Sequence, residues 1–317
     1  MARYTIRRVL QMIPLMLGIS LILFIIIQAA PGGPEGMMLQ SGLTIDPSVI
    51  AAYRHRLGVD QPVYIQYFRW IFAALSGDLG VSFQTSRPVA TMILERMPAT
   101  LELMAVSFLL AALVAIPLGI YSALHQYSSF DLLGTTASFL GIAMPVFWFG
   151  LILQLIFSVK LGWLPVAGTE TVGATSFWDQ IKHLILPTIV LSLHSIAGWS
   201  RYMRSSMLGV IRSDYVRTAH AKGLREKIVV FRHAVKNALI PVITIMALDL
   251  AGLFSGAVIT ETIFAWPGIG RLFVQSMYAR DYPILMGILM MGSFMVVVFN
   301  LIADLVYGWL DPRISYH

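Results

Sequence analysis

Six runs of this 317-residue chain are each long and apolar enough to cross a lipid bilayer, at 9–30, 101–124, 132–159, 184–203, 240–260 and 284–310. A helical crossing needs ~20 predominantly apolar residues. Within hydrocarbon every backbone N–H and C=O must be satisfied by the chain itself, which leaves only helices or closed barrels. Runs of this length belong to helices, since a barrel strand spans the same depth in about 10 residues. The expected fold class is therefore an all-α integral membrane protein with six transmembrane helices, read as one domain over 1–317. Composition agrees: 57% of the residues are hydrophobic, only 12% are charged, and the mean hydropathy is +0.77. Soluble domains carry roughly 25% charged residues.

Charge placement orients the spans. Arg3, Arg7 and Arg8 precede the first run and place the amino terminus in the cytoplasm. The run from Val9 to Ile27 exceeds the roughly 7–15 apolar residues of a signal-peptide core, so it reads as an uncleaved anchor despite Ala29-Ala30. Six crossings then return the carboxyl terminus, with Arg313, to the cytoplasm. The segment 201–236 falls on the same side and holds nine of the 22 Lys and Arg residues. The net charge of +6 is thus explained by positive-inside bias, and nucleic acid is not an expected partner. The short loop His125 to Asp131 carries no Lys or Arg and adds nothing to the orientation. With no cysteine in the chain, disulfides, thiolate metal sites and cysteine nucleophiles are excluded, and no metal site is expected.

The external loop 31–99 is too long to be bare. Asp46-Pro47 and Gln61-Pro62 each offer an N-cap followed by proline at the first helical position. After the second, Tyr64, Tyr67, Phe68, Ile71 and Leu75 recur at helical spacing, an apolar stripe for the membrane surface or the other spans.

In the basic loop 201–236, Asp214 is expected to N-cap a short helix from Tyr215 to Lys222, with Gly223 in the left-handed position that ends it. Tyr215, Val216 and Ala219 share a face suited to a partner's groove, with lipid headgroups as the alternative contact. A second stretch places Ile228, Phe231 and Val235 together, and Pro241 opens the fifth span.

These phrases carry a resemblance. Asp214-Tyr215-Val216-Arg217-Thr218-Ala219-His220-Ala221-Lys222-Gly223, continued by His233-Ala234, Asn237-Ala238 and Pro241, resembles the coupling motif of permease subunits of the dipeptide/oligopeptide ABC importers, a group that includes nickel and glutathione permeases. The phrases 57–62, 77–82, 261–271, 280–283 and Asp311-Pro312-Arg313 are similar to that family's in the same order, so the likeness covers nearly the whole chain. Arg217 stands where the wider superfamily's motif has an acid, and His220 where the peptide group has arginine. The resemblance implies a type I ABC importer permease in a bacterial or archaeal inner membrane, forming half of a binding-protein-dependent path for di- or oligopeptides. It also implies a homologous second permease as heterodimer partner, two cytoplasmic ATP-binding subunits, and an external or periplasmic substrate-binding protein. Residues 214–223 would couple to the ATPase.

Ionisable groups inside spans are costly and mark function by default. Asp249 shares a face with Gly252 and Gly256, and Ser293, Val297, Asn300 and Asp304 form a second polar stripe. Asp249, Gly252, Gly256, Asn300 and Asp304 are candidates for the translocation path or a helix interface; Gln154 and His194 are isolated polar residues. No Gly-x-x-x-x-Gly-Lys-Ser/Thr phosphate loop occurs, so ATP and Mg2+ belong to partner subunits, and this chain is expected to bind no cofactor and to be no enzyme. An intramembrane protease using Asp249 and Asp304, or a proton-coupled secondary transporter using them as relays, is the competing class. His-Glu-x-x-His is absent.

Overall fold

The computed structural model describes residues 2–29, 46–173 and 176–310. The loop residues 31–45 and the phrase Asp311 to Arg313 lie outside them. The described helices are α1 (Ala2–Ala29), α2 (Pro47–Leu57), α3 (Val63–Leu75), α4 (Val89–Leu124), α5 (Ser129–Ala143), α6 (Val146–Leu153, continued as a π-helix through Gln154–Lys160), α7 (Phe177–Ile211), α8 (Asp214–Ala221), α9 (Glu226–Ile228, leading into a π-helical Val229–Val235), α10 (Lys236–Ile263), α11 (Ile269–Tyr278) and α12 (Tyr282–Leu310).

Among the described residues, five helices are long and apolar enough to cross a membrane singly. The run at 132–159 is not one continuous helix. It is two helices, α5 and α6, bent by 107° at Met144-Pro145. Pro145 has no N–H to donate and forces Met144 into extended backbone (φ −79°, ψ 123°). Elsewhere the helices outrun their apolar cores. α7 starts at Phe177, where the Ser176 hydroxyl accepts from the Asp179 N–H, and continues to Ile211. Its 35 residues span about 52 Å at 1.5 Å each, well beyond a hydrocarbon core of roughly 30 Å.

Contacts divide the chain into two units, one of 101–266 with 298 onward, the other of 2–100 with 267–297. In the first, α7 packs on α10 and α4 around the fully buried Trp199, Met203 and Met207, joined by Ala111, Ala115, Val242 and Met246. Phe108 meets Trp199 edge to face at 5.1 Å. A Cβ at Gly119 would lie 2.6 Å from the Met203 Cβ and from the Ser200 carbonyl, so only glycine lets α4 approach α7 this closely.

In the second unit, Asp46 caps α2 as its sequence predicts, accepting from the Ser48 N–H (2.9 Å) and hydroxyl (2.7 Å). α3 differs. Pro62, not Gln61, occupies its cap position, and the Gln66 amide braces the entry by donating to the Val59 and Gln61 carbonyls. The predicted stripe of α3 divides. Ile71 is buried, and Tyr67 packs on Phe24 of α1 (5.4 Å) with its hydroxyl 2.9 Å from Ser20 Oγ, while Tyr64, Phe68 and Leu75 stay exposed. The phrases Gly77 to Ser82 and Arg280 to Pro283 meet at Asp281. Its buried carboxylate accepts from the Ser82 hydroxyl (2.5 Å) and the Phe83 N–H (3.1 Å), pinning the loop before α4.

Candidate functional site

The basic loop builds a short helix with one buried and one open side. α8 begins at Asp214 itself, one residue earlier than expected. Ser213 takes the cap position, although its hydroxyl donates back to the Val210 carbonyl (2.6 Å) and caps nothing. Asp214 is therefore the first helical residue, not the cap. There its negative charge still suits the N-terminal end of the helix dipole. Gly223 has φ +72° and donates to the His220 carbonyl (2.9 Å), the left-handed stop its position predicts.

The apolar face of α8 is used within the chain. Val216 and Ala219 are buried against Val229, with Val210 beside them. Tyr215, expected on that face, is 46% exposed, and Arg217 and Thr218 are exposed with it. The Tyr215 and Arg217 side is thus open, while the buried side fastens α8 to the segment that follows. Arg217 and Asp214 stand 3.6 Å apart as an exposed pair that contributes little stability.

The π-helical turn explains a second difference. An α-helical register groups Ile228, Phe231 and Val235. With wider turns, Val229, Val230, Ala234 and Val235 become the buried set, leaving Ile228 and Phe231 exposed. The Ser206 hydroxyl of α7 then donates to the Ala238 carbonyl (2.8 Å), fixing the start of α10.

His220 is clasped from both sides. Nδ1 lies 3.1 Å from the Val216 carbonyl and Nε2 3.0 Å from Glu226 Oε2. Both neighbours accept, so only the imidazolium donates to both, and the Glu226 carboxylate, then the Val216 carbonyl, hold the His220 pKa above its ordinary value. Because the folded value is raised, the clasp is complete below the unfolded value of about 6.5 and is lost as pH rises through the folded one. Glu226→Gln is expected to move the His220 titration, followed by NMR of labelled imidazole, back toward the ordinary value. An unchanged titration would show that the carboxylate is not the cause.

A pairing invisible to the sequence lies behind this loop. Arg204 of α7 donates to Asp131 of α5 through two atoms, Nε to Oδ1 at 2.6 Å and Nη2 to Oδ2 at 2.7 Å. Asp131 is 2% exposed and accepts in addition from the Tyr127 N–H (2.9 Å), holding Tyr127 at φ +63°. The Ser128 hydroxyl caps α5 by accepting from the Asp131 N–H. The only sequence signal is Ser128 three residues before an acid at the start of an apolar run.

The intramembrane candidates do not converge. Asp249 is half-buried and accepts from the Trp199 indole N–H at 2.6 Å. Gly252 is exposed with no atom within 4 Å of a Cβ placed there, so that stripe packs nothing in this chain at Gly252. The surroundings of Gly256 lie outside the described residues. On α12, Asn300 is exposed and Asp304 half-buried. The Gln154 side chain donates to the Val166 (2.9 Å) and Ile263 (3.1 Å) carbonyls, a staple across α6 and the end of α10. His194 is exposed.

Comparison with known proteins adds the context. Residues 115–316 match the family described as "binding-protein-dependent transport system inner membrane component", and residues 1–104 match that system's N-terminal membrane component. The chain is 46% identical over 322 residues to the oligopeptide transport system permease protein AppB of Bacillus subtilis, covering 100% of both chains. It is 40% identical to the dipeptide transport system permease protein DppB of Alkalihalophilus pseudofirmus, again over 100% of each. The glutathione transport system permease protein GsiC of Salmonella paratyphi A is 39% identical over 100% of both. Among solved structures, inward-facing forms of the MetNI methionine ABC transporter share the fold, with a TM-score of 0.58 at 13% identity, covering 69% of this chain and 96% of that one.

Proposed function

The chain belongs to the family of inner membrane components of binding-protein-dependent transport systems and is a multi-pass permease subunit of an ABC importer, and from that premise we propose that it forms half of a translocation route for short peptides. The peptide assignment rests on the oligopeptide and dipeptide names of full-length relatives. Glutathione, itself a peptide, is the second reading, favoured by the relative at 39% identity. The chain has both termini in the cytoplasm, performs no chemistry and holds no cofactor. A homologous second permease completes the route, an external binding protein delivers cargo, and two cytoplasmic subunits bind ATP and Mg2+. Asp249 and Asp304 act neither as a protease dyad nor as proton relays. Asp249 instead accepts from the Trp199 indole.

The observation that carries the coupling role is the two-sided α8. Tyr215 and Arg217 face outward, while Val216 and Ala219 pack on Val229. A displacement of the open side by an ATP-binding subunit passes through that packing into the π turn and α10, and so to the membrane. Tyr215→Cys tests this, since the chain has no other cysteine. In the assembled importer a thiol-to-amine cross-linker is expected to join that residue to an ATP-binding subunit. An adduct to anything else, or none while Val172→Cys behaves identically, would refute the contact; Val172 lies between α6 and α7, outside the basic loop, and is fully exposed.

A further inference from the structure

The helix α7 is the most buried of the candidate spans, half of its apolar window being covered within the chain. Between Pro187 and Ser205 its exposed positions are Ile189, His194, Arg201, Tyr202 and Ser205. His194, Gly198, Arg201 and Ser205 follow one another at intervals of four, three and four residues, which places them on one face of a 3.6-residue helix. A Cβ at Gly198 would meet nothing within 4 Å, so the face stays open between its polar members. The Arg201 guanidinium lies 4.6 Å above the Phe139 ring, which holds the stem sideways and leaves the charge at the surface. Among the described residues, His194, Arg201 and Ser205 have no hydrogen-bond or ion-pair partner.

Towards the start of α7 this face is closed. Pro187, Val190 and Leu191 are buried, and Val190 packs with Leu186 and Phe264. The open polar strip therefore begins at His194, near the middle of the apolar segment, and runs about 16 Å to Ser205 at 1.5 Å per residue. An unpaired imidazole at mid-membrane depth and a guanidinium a few turns on are too costly to face lipid chains. Water satisfies both.

We propose that His194, Gly198, Arg201 and Ser205 line a water-filled section of the translocation route, open from the cytoplasmic end of α7, and that Arg201 receives a carboxylate of the passing cargo. This rests on the transport reading above. Every peptide carries a carboxylate, and a guanidinium without a protein acid beside it matches that group in charge and planar geometry.

The cysteine-free chain suits thiol labelling. His194→Cys and Gly198→Cys, in the complete importer in inside-out vesicles, would be exposed to charged methanethiosulfonates alongside Leu113→Cys, an apolar control position 72% exposed on α4. A thiol facing lipid ionises poorly, so the strip positions are expected to react at least roughly tenfold faster than the control. At Gly198→Cys the anionic sulfonatoethyl reagent should outpace the cationic trimethylammonium reagent by roughly tenfold, a preference that Arg201→Gln removes. Ser205→Cys, a one-atom change, gives a third position if either variant fails to assemble. Rates no faster than at Leu113→Cys, oxidation into a cross-link with the second permease, or a charge preference untouched by Arg201→Gln would each overturn the proposal. ATP-dependent release of peptide enclosed with the binding protein in the same inside-out vesicles, by the unsubstituted importer, is the separate check: its absence defeats the transport reading, while its presence with inert strip thiols defeats only the lining.

Discussion

Arg204→Ala is expected to destabilise the permease by about 3–5 kcal/mol, because it leaves the Asp131 carboxylate buried without its counter-charge. Asp131 is 2% exposed, and the two short bonds from Arg204 are its only charged contacts among those described. The Tyr127 N–H and the Ser122 hydroxyl remain to it, but two neutral donors do not replace a guanidinium. The reciprocal Asp131→Ala should cost less, about 3 kcal/mol at the lower end of the range for broken buried pairs. The Arg204 side chain is 25% exposed and can turn toward water. Asp131→Ala also frees Tyr127 from its left-handed backbone, φ +63°, which a non-glycine residue holds only when its surroundings enforce it. The double substitution should cost less than the sum of the two, since each single change already removes the same bonds. Thermal unfolding of the four proteins in detergent closes the cycle; additive losses would show that the pair is not the source.

The location of this pair explains why its loss should reach function. Arg204 lies ten residues before Asp214, on the helix whose later Ser206 hydroxyl holds the Ala238 carbonyl. Asp131 opens α5, which follows α4 across the short loop at 125–128. The pair thus ties the start of the bent span to the helix that leads into α8.

The spans were readable because membrane solvation demands long apolar runs, and that demand acts locally. Their ends were not, since polar residues such as Glu95 and Arg96 of α4 or Asp179 and Lys182 of α7 continue a helix as readily as they end an apolar window. The bend at Met144-Pro145 was hidden because a proline within an apolar run reads equally as a tolerated kink. Gly223 was legible since a left-handed stop nearly names its residue, whereas the start of α8 was not, Ser213 and Asp214 both being competent caps. The buried set Val229, Val230, Ala234 and Val235 was misread as Ile228, Phe231 and Val235 because a π turn has no compositional mark. Asp131 with Arg204, and Ser82 with Asp281, lie too far apart in sequence for periodicity to join them, although the second pair sits inside two phrases already noted as family-like.

Gly223→Val bears on the central claim, that α8 transmits ATP hydrolysis to the membrane. No atom lies within 4 Å of a Cβ placed at Gly223, so the substitution acts on the backbone and not by collision. A β-branched residue in the left-handed region costs roughly 1–2 kcal/mol or more. The turn rests on two local bonds, Lys222 N–H to Thr218 and Gly223 N–H to His220. It is expected to relax out of that conformation, re-aiming Leu224 to Glu226 and pulling Glu226 from His220. The buried Val216 and Ala219 contacts keep the helix itself folded, and Tyr215 stays exposed for the contact proposed above. The decisive measurement is the number of substrate molecules imported per ATP hydrolysed by the reconstituted importer with and without Gly223→Val. If α8 is the lever, the ATP-binding subunits stay bound and hydrolyse ATP while import per ATP falls at least roughly tenfold, the effect of ~1.4 kcal/mol on a coupled equilibrium. Import per ATP equal to that of the unsubstituted protein would contradict the account.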